Sequence, residues 1–243
     1  MSSQQFPADT SSNVITEFPI LSAANSSPEG IAAGPDGNLW FTGRAGNQIG
    51  RISPTGTITE FPAPTATNEP AGIAVGSDGN LWFTELTGNK IGHISPTLTE
   101  TPLGTVWCAP SSIAAGPDGN LWFTEKYAGK IGRISPTGAI TEFYLTSGLS
   151  VPIDITAGPD GNLWFTELKG NKIGRISPTG AITEFPVPTA ASEPSSIAAG
   201  PDGNLWFTEL TGNKIGRISP TGAITEFPIL TAASEPSSIA AGP

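Results

Sequence analysis

Four glutamates recur in this sequence at matching places, Glu85, Glu125, Glu167 and Glu209, and each is followed five residues later by a lysine, Lys90, Lys130, Lys172 or Lys214. Such pairs have two uses. Each glutamate can close an ion pair with its own lysine, worth ~0–1 kcal/mol if exposed. Gathered on one face, the four carboxylates could instead ring a hard cation such as magnesium, which prefers oxygen ligands and keeps several waters. The first copy weakens such a ring, because Gly43 stands where the others carry glutamate.

A single active site needs asymmetry, so the residues that break the repetition are the better candidates for chemistry. Asp154 has no acidic counterpart at its place in the other copies. With Glu125 it is the candidate for moving a proton. Trp107 lies in a stretch, Pro102–Pro110, that departs from the Pro-Thr-Ala-Ala-Ser-Glu-Pro of other copies, and Tyr127 stands where others have Thr or Lys. Together they could form an aromatic shelf for a ligand ring beside Glu125, with Glu29 a further ligand-binding candidate. The alternative for both aromatics is loop drift around a packed tryptophan. His93, the one histidine, replaces an arginine found at Arg51, Arg133, Arg175 and Arg217, and reads as a packed strand residue. Cys108 has no His or Lys beside it in sequence to lower its pKa, so a nucleophilic role is not expected. No phosphate-cradling loop, metal-ligand spacing or serine elbow is present.

The elements that must position these residues are repeats. The phrase Pro-Asp-Gly-Asn-Leu-Trp-Phe-Thr occurs at residues 35–42 and, with minor change, four more times; its tryptophans Trp40, Trp82, Trp122, Trp164 and Trp206 are spaced by 42, 40, 42 and 42 residues. Each repeat carries four short apolar stretches, exemplified by Ile31–Gly34, Leu39–Thr42, Ile49–Ser53 and Ile58–Phe61, here called strands a, b, c and d. They are short, rich in β-branched and aromatic residues, and bounded by turn formers. Asp36-Gly37 predicts a tight a–b hairpin, and Ser53-Pro-Thr-Gly56 a turn between c and d. A four-stranded antiparallel sheet repeated every ~42 residues is the unit of a β-propeller. The fold is therefore all-β, with five complete repeats and partial ones at both ends: a spare d strand at Ile15 and a lone a strand at Ile239–Gly242. We expect an irregular tail over 1–14 and one propeller domain over 15–243. The count is met by a larger ring of six or seven blades, by closure of five with surplus ends, or by a second copy filling the gap. Antiparallel geometry puts the start of a, the end of b, the start of c and the long d–a loops on one face. That face carries the glutamates, the lysines, Trp107 and Tyr127, with Asp154 turned to the central channel.

The phrases Gly-Pro-Asp-Gly-Asn-Leu-Trp-Phe-Thr-Glu, Lys-Ile-Gly-Arg-Ile and Ile-Thr-Glu-Phe-Pro resemble the repeat of the virginiamycin B lyase (streptogramin B lyase) family, over residues 15–243. The resemblance implies a seven-bladed ring and a magnesium-dependent carbon–oxygen elimination that opens the cyclic ester of a peptide antibiotic, a resistance activity. It also implies a histidine just before strand a, in a Pro-His-Gly-Ile context; the matching residues here are Glu29, Ala71, Ser111, Ile153, Ser195 and Ser237. Two readings follow: a lyase-like propeller, or a non-catalytic propeller that binds a ligand or partner or serves as a scaffold.

Composition narrows the partners. Eleven Lys and Arg against 21 Asp and Glu give a formal charge of −10, which opposes nucleic acid and anionic membranes. A small-molecule ligand, a cation or another copy of the chain suits the field better. One cysteine allows no intrachain disulfide. No apolar run approaches the ~20 residues of a membrane span, and no signal peptide is visible at Met1–Gln5, so a cytoplasmic protein is expected, or a secreted one if the N-terminus is truncated.

Overall fold

The computed structural model describes residues 16–20, 26–94, 98–103, 107–146 and 150–242. Five four-stranded antiparallel sheets make up the fold. Blade one is β1 (Pro28–Ala33), β2 (Leu39–Gly43), β3 (Gln48–Ile52) and β4 (Ile58–Pro62). Blade two is β5 (Pro70–Val75), β6 (Leu81–Glu85), β7 (Lys90–Ile94) and β8 (Leu98–Pro102). Blade three is β9 (Pro110–Ala115), β10 (Leu121–Glu125), β11 (Lys130–Ile134) and β12 (Ile140–Tyr144). Blade four is β13 (Pro152–Ala157), β14 (Leu163–Glu167), β15 (Lys172–Ile176) and β16 (Ile182–Pro186). Blade five is β17 (Pro194–Ala199), β18 (Leu205–Glu209), β19 (Lys214–Ile218) and β20 (Ile224–Pro228). Strands β1, β5, β9, β13 and β17 pack side by side as the inner wall.

The repeated phrase specifies this unit residue by residue. Gly37 turns the a–b hairpin at φ +76°, a conformation that costs glycine nothing. Asp36 accepts the Asn38 amide and the Trp40 indole N–H at 3.2 and 3.1 Å, tying the turn to the strand it launches. The threonine joins neighbouring blades. Buried Thr166 Oγ1 accepts the Asp154 amide of its own inner strand at 3.1 Å and donates to the Ser195 carbonyl of the next blade at 2.9 Å. Thr42, Thr84 and Thr124 repeat both bonds. This use of threonine explains a shift at the inner strands. The sequence pattern starts strand a at Ile31, but β1 begins at Pro28, because an irregularity between Pro28 and Ile31 turns the Gly30 amide onto Thr42.

Apolar packing runs between blades. Trp122 and Ile131 of blade three pack with Ile155, Leu163, Phe165 and Ile176 of blade four. On one face of every sheet but that of blade two an arginine lies over two stacked rings, as Arg175 does over Trp164 and Phe185, 5.6 Å from each. On the other face Phe165 covers Gly174, where an added Cβ would sit 2.0 Å from the ring. Gly174→Ala should therefore cost about 1–3 kcal/mol by overpacking; an unchanged urea midpoint would show that the ring moves aside freely.

Blade one differs at its outer face. Ile31 is 64% exposed, whereas its counterpart Ile73 is 7% exposed under blade one. Among the described residues the partial repeats at the two ends form no strands. Residues 16–20 place Phe18 over Gly56 as Phe143 lies over Gly180 and Phe185 over Gly222. Phe18 thus takes the place that strand d of a preceding blade gives its phenylalanine; Ile15 lies outside the described residues. In residues 236–242 the Ile239 amide reaches Ser196 Oγ at 3.4 Å. Among the described residues neither the expected extra d segment nor the expected lone a segment pairs into a sheet. No helix among the described residues is long and apolar enough to cross a membrane.

Candidate functional site: a serine-lined channel and an aromatic pocket

The inner strands enclose a cavity of about 490 Å³ whose wall includes Ser111, Ser112, Ser195, Ser196, Ser237 and Asp154. Two consecutive small residues follow the inner-strand proline in blades two, three and five, Ala71-Gly72, Ser111-Ser112 and Ser195-Ser196, and line the channel. Asp154 is its central carboxylate. One oxygen accepts Ser112 Oγ at 2.7 Å and the Ile155 amide at 2.9 Å. The other accepts Ser196 Oγ and the Ile197 amide, both at 2.9 Å. Four donors from blades three, four and five thus converge on one side chain, which straps three inner strands together. Glu29 also lines this cavity and meets Arg44 at 3.4 Å, while Arg44 forks onto Glu69 at 3.1 and 2.9 Å. Sequence reading did not find Arg44 or Glu69; the only signal was that Arg44 breaks the Leu-or-Lys pattern after strand b.

Beside the channel a second cavity, about 440 Å³, is lined by Arg44, Glu69, Leu86, Thr87, Asn89, Trp107, Ala109 and Tyr127. Trp107 and Tyr127 are 80% and 65% exposed. Trp107 has a left-handed backbone, φ +64°, shared by Thr67, Ala191 and Ala233 at the matching loop position. The loop shape is common to the repeats, and only this copy hangs a large ring on it. Glu125 is not part of this shelf. It is fully buried, because the Lys126 and Tyr127 amides bond to the Ala109 and Cys108 carbonyls and draw the preceding loop over the end of β10.

The other three glutamates behave alike. Glu85, Glu167 and Glu209 are fully buried, each inside its own blade, and none lines the channel. Burial pushes each carboxyl up to about 7, and the neighbouring charge of Glu100, Glu184 or Glu226 adds to it. They are not exposed hairpin pairs. The lysines turn instead to the strand-d glutamates: Lys90 to Glu100 at 2.5 Å, Lys130 to Glu142 at 2.7 Å, Lys172 to Glu184 at 2.6 Å and Lys214 to Glu226 at 2.7 Å. These acids lie in the Ile-Thr-Glu-Phe phrase, and their pairing was not legible because it depends on the c–d register, with Glu184 opposite Gly174. Blade one shows the set as a unit: Gly43 replaces the buried acid, and Gln48 replaces the lysine, donating to Glu60 at 2.8 Å. His93 is remote from the channel wall, its ring tilted 40° against that of Trp82 at 4.2 Å between centres. It takes the arginine's place in the one blade whose strand d carries Thr101 instead of phenylalanine.

A magnesium ion, as the resemblance implies, would need open oxygen ligands. The buried glutamates are closed off, and Glu29 and Glu69 face Arg44. Among the described residues the side chains that converge as metal donors are Cys108, Glu125 and Glu142. A thiol is too soft for magnesium. The donor set of these blades does not fit that ion.

Comparison with known proteins bears on what the channel is for. The model of the virginiamycin B lyase family matches residues 5–243. Virginiamycin B lyase of Bordetella bronchiseptica is 48% identical over 52 residues, 21% of this chain and 17% of that protein, so the chain aligns to about a sixth of the length of this curated relative. Among solved structures, a streptogramin B lyase is 43% identical with TM-score 0.88, covering 91% of this chain and 75% of that one. A catalytically inactive virginiamycin B lyase from Staphylococcus aureus with quinupristin is 43% identical with TM-score 0.88, covering 91% and 76%.

Proposed function

The chain belongs to the virginiamycin B lyase family, and from that premise we propose that its channel face binds cyclic, ester-closed peptides of the streptogramin B class without opening them. The observation that supports this reading is the channel wall. The positions at which a lyase histidine is implied hold Glu29, Ala71, Ser111, Ile153, Ser195 and Ser237; Glu29 meets Arg44 at 3.4 Å, and the other acid on the channel wall, Asp154, is engaged by four donors. Elimination beside an ester needs a base free to take a proton. Binding needs only what this face offers: serine hydroxyls for peptide carbonyls, and Trp107 and Tyr127 for aromatic side chains.

The test uses quinupristin, present in the related structure. The chain is titrated against it by calorimetry, then incubated with it and magnesium while linearised product is sought by mass spectrometry. Saturable binding without product is expected. Product formed in proportion to the chain and lost on chelation would replace this reading with the lyase one. Trp107→Ala should weaken binding about tenfold, some 1.4 kcal/mol, without loss of folding, since Ala191 and Ala233 hold the same loop position. Unchanged affinity would remove the aromatic pocket from the site.

A further inference from the structure

Cys108 stands two residues before its inner-strand proline, where the other blades carry Ser26, Asn68, Ser150 and Ser192. The exchange matters because of what the position faces. Cys108 is fully buried, and its Sγ, a Glu125 carboxylate oxygen and a Glu142 carboxylate oxygen all lie within 4.8 Å of one another. Glu125 is fully buried too, and neither of its oxygens takes a nitrogen or oxygen donor. The groups its carboxyl meets are the Cys108 thiol and the Glu142 carboxyl, with the Lys130 ammonium acting on it by charge. A buried carboxyl without such donors is expensive to keep, and here it points at a potential metal ligand. Lys130 Nζ lies 2.7 Å from Glu142 and 4.8 Å from the centre of the Tyr144 ring.

We propose that Cys108, Glu125 and Glu142 form a binding site for one thiophilic divalent cation of the zinc class, held in blade three by a thiolate and two carboxylates. The donor set suits such an ion: zinc takes sulfur at ~2.3 Å and carboxylate oxygen at ~2.0–2.2 Å, with few demands on geometry. On binding, the thiol proton leaves to solvent and the metal–sulfur bond replaces it. Thiolate, two carboxylates, divalent cation and the Lys130 ammonium then cancel in formal charge, which an enclosed site requires. Ala109, next to Cys108, lines the aromatic cavity and marks the way in. The site is independent of the peptide-binding reading.

Cadmium is the probe, because a thiolate ligand gives it a charge-transfer absorbance in the ultraviolet. The full chain, freed of metal, is titrated with Cd²⁺ by absorbance and calorimetry. One equivalent should bind with that absorbance, and a hundredfold excess of Mg²⁺ should not displace it. Cys108→Ser reproduces the residue of blades four and five, so the fold should persist while the absorbance disappears. Glu125→Gln keeps the thiol and should weaken binding at least tenfold. Ser192→Cys should create a second site, since Ser192 faces Glu209 with Glu226 beside it. Absence of binding, binding without the thiolate band, or wild-type affinity in Glu125→Gln, which would mean a thiol acting alone, would each overturn the proposal.

Discussion

Raising the pH from about 5 to 8 should destabilise the folded chain, and replacing buried glutamates by glutamine should remove much of that loss. Glu167 shows why. Burial, joined by the charge of Glu184 and partly offset by Ser150, raises its carboxyl from 4.5 to about 7. In the unfolded chain it loses its proton near 4.5; in the fold it keeps it until about 7. Between those values the native state binds more protons, so stability falls as pH rises, and the loss is complete above about 7. At 1.36 kcal/mol per unit this is on the order of 2–3 kcal/mol per carboxyl, and Glu85 and Glu209 add to it with the same sign. The opposite slope appears in acid. Burial alone would raise Glu184, but the Lys172 ammonium and the Thr146 hydrogen bonds outweigh it and hold the carboxyl below 4.5. Glu100 and Glu226 are lowered in the same way by Lys90 and Lys214. Their stabilisation is present above 4.5 and is lost as pH falls below it. Urea unfolding across pH should therefore give a maximum near 5–6. In Glu167→Gln, and more so in Glu167→Gln with Glu209→Gln, the alkaline limb should flatten. A limb of unchanged slope in the double variant would place the titrating groups elsewhere.

Asp154→Ala should be the most damaging single change on the channel wall, about 2–4 kcal/mol. It removes four hydrogen bonds to a charged acceptor, each of a class worth roughly 1.5–3 kcal/mol, with water able to recover part of the loss in an open channel. The strap spans blades, so the effect should be coupled: Ser112→Ala and Ser196→Ala should cost less in the Asp154→Ala background than in the wild type. Additive costs in such a cycle would mean that the serines are held by something other than this carboxylate. A purely local role would also leave the melting transition unchanged, whereas the strap predicts earlier separation of blades three to five. Asp154 lies where a base would be useful, but its two oxygens are occupied by the fold.

The sequence by itself determined the unit of this protein. Turn, strand and hairpin are local chemistry: Gly37 must be glycine at positive φ, Asp36 closes on Asn38 and Trp40 within four residues, and apolar residues on both faces of strands b and c demand a neighbour on each side. A period of ~42 residues then leaves little choice but blades around an axis. It also marked Trp107, Tyr127 and Asp154 as places where the copies disagree, and the first two share one cavity while the third lies in the next. Tertiary structure decided what one-dimensional spacing cannot express. The glutamates after strand b do lie opposite the lysines five residues on, Glu167 opposite Lys172, but the ammonium reaches diagonally to strand d, where Glu184 stands two residues along opposite Gly174, and the d–a loop sealed the glutamates in. Asp154 became a strap because Ser112 and Ser196 sit one blade away on either side, 42 residues off in each direction. Cys108, unremarkable in its own loop, acquired two carboxylates from β10 and β12. Local turns and periodic burial are written in neighbouring residues, whereas polar pairing is set by which strands the sheet brings side by side.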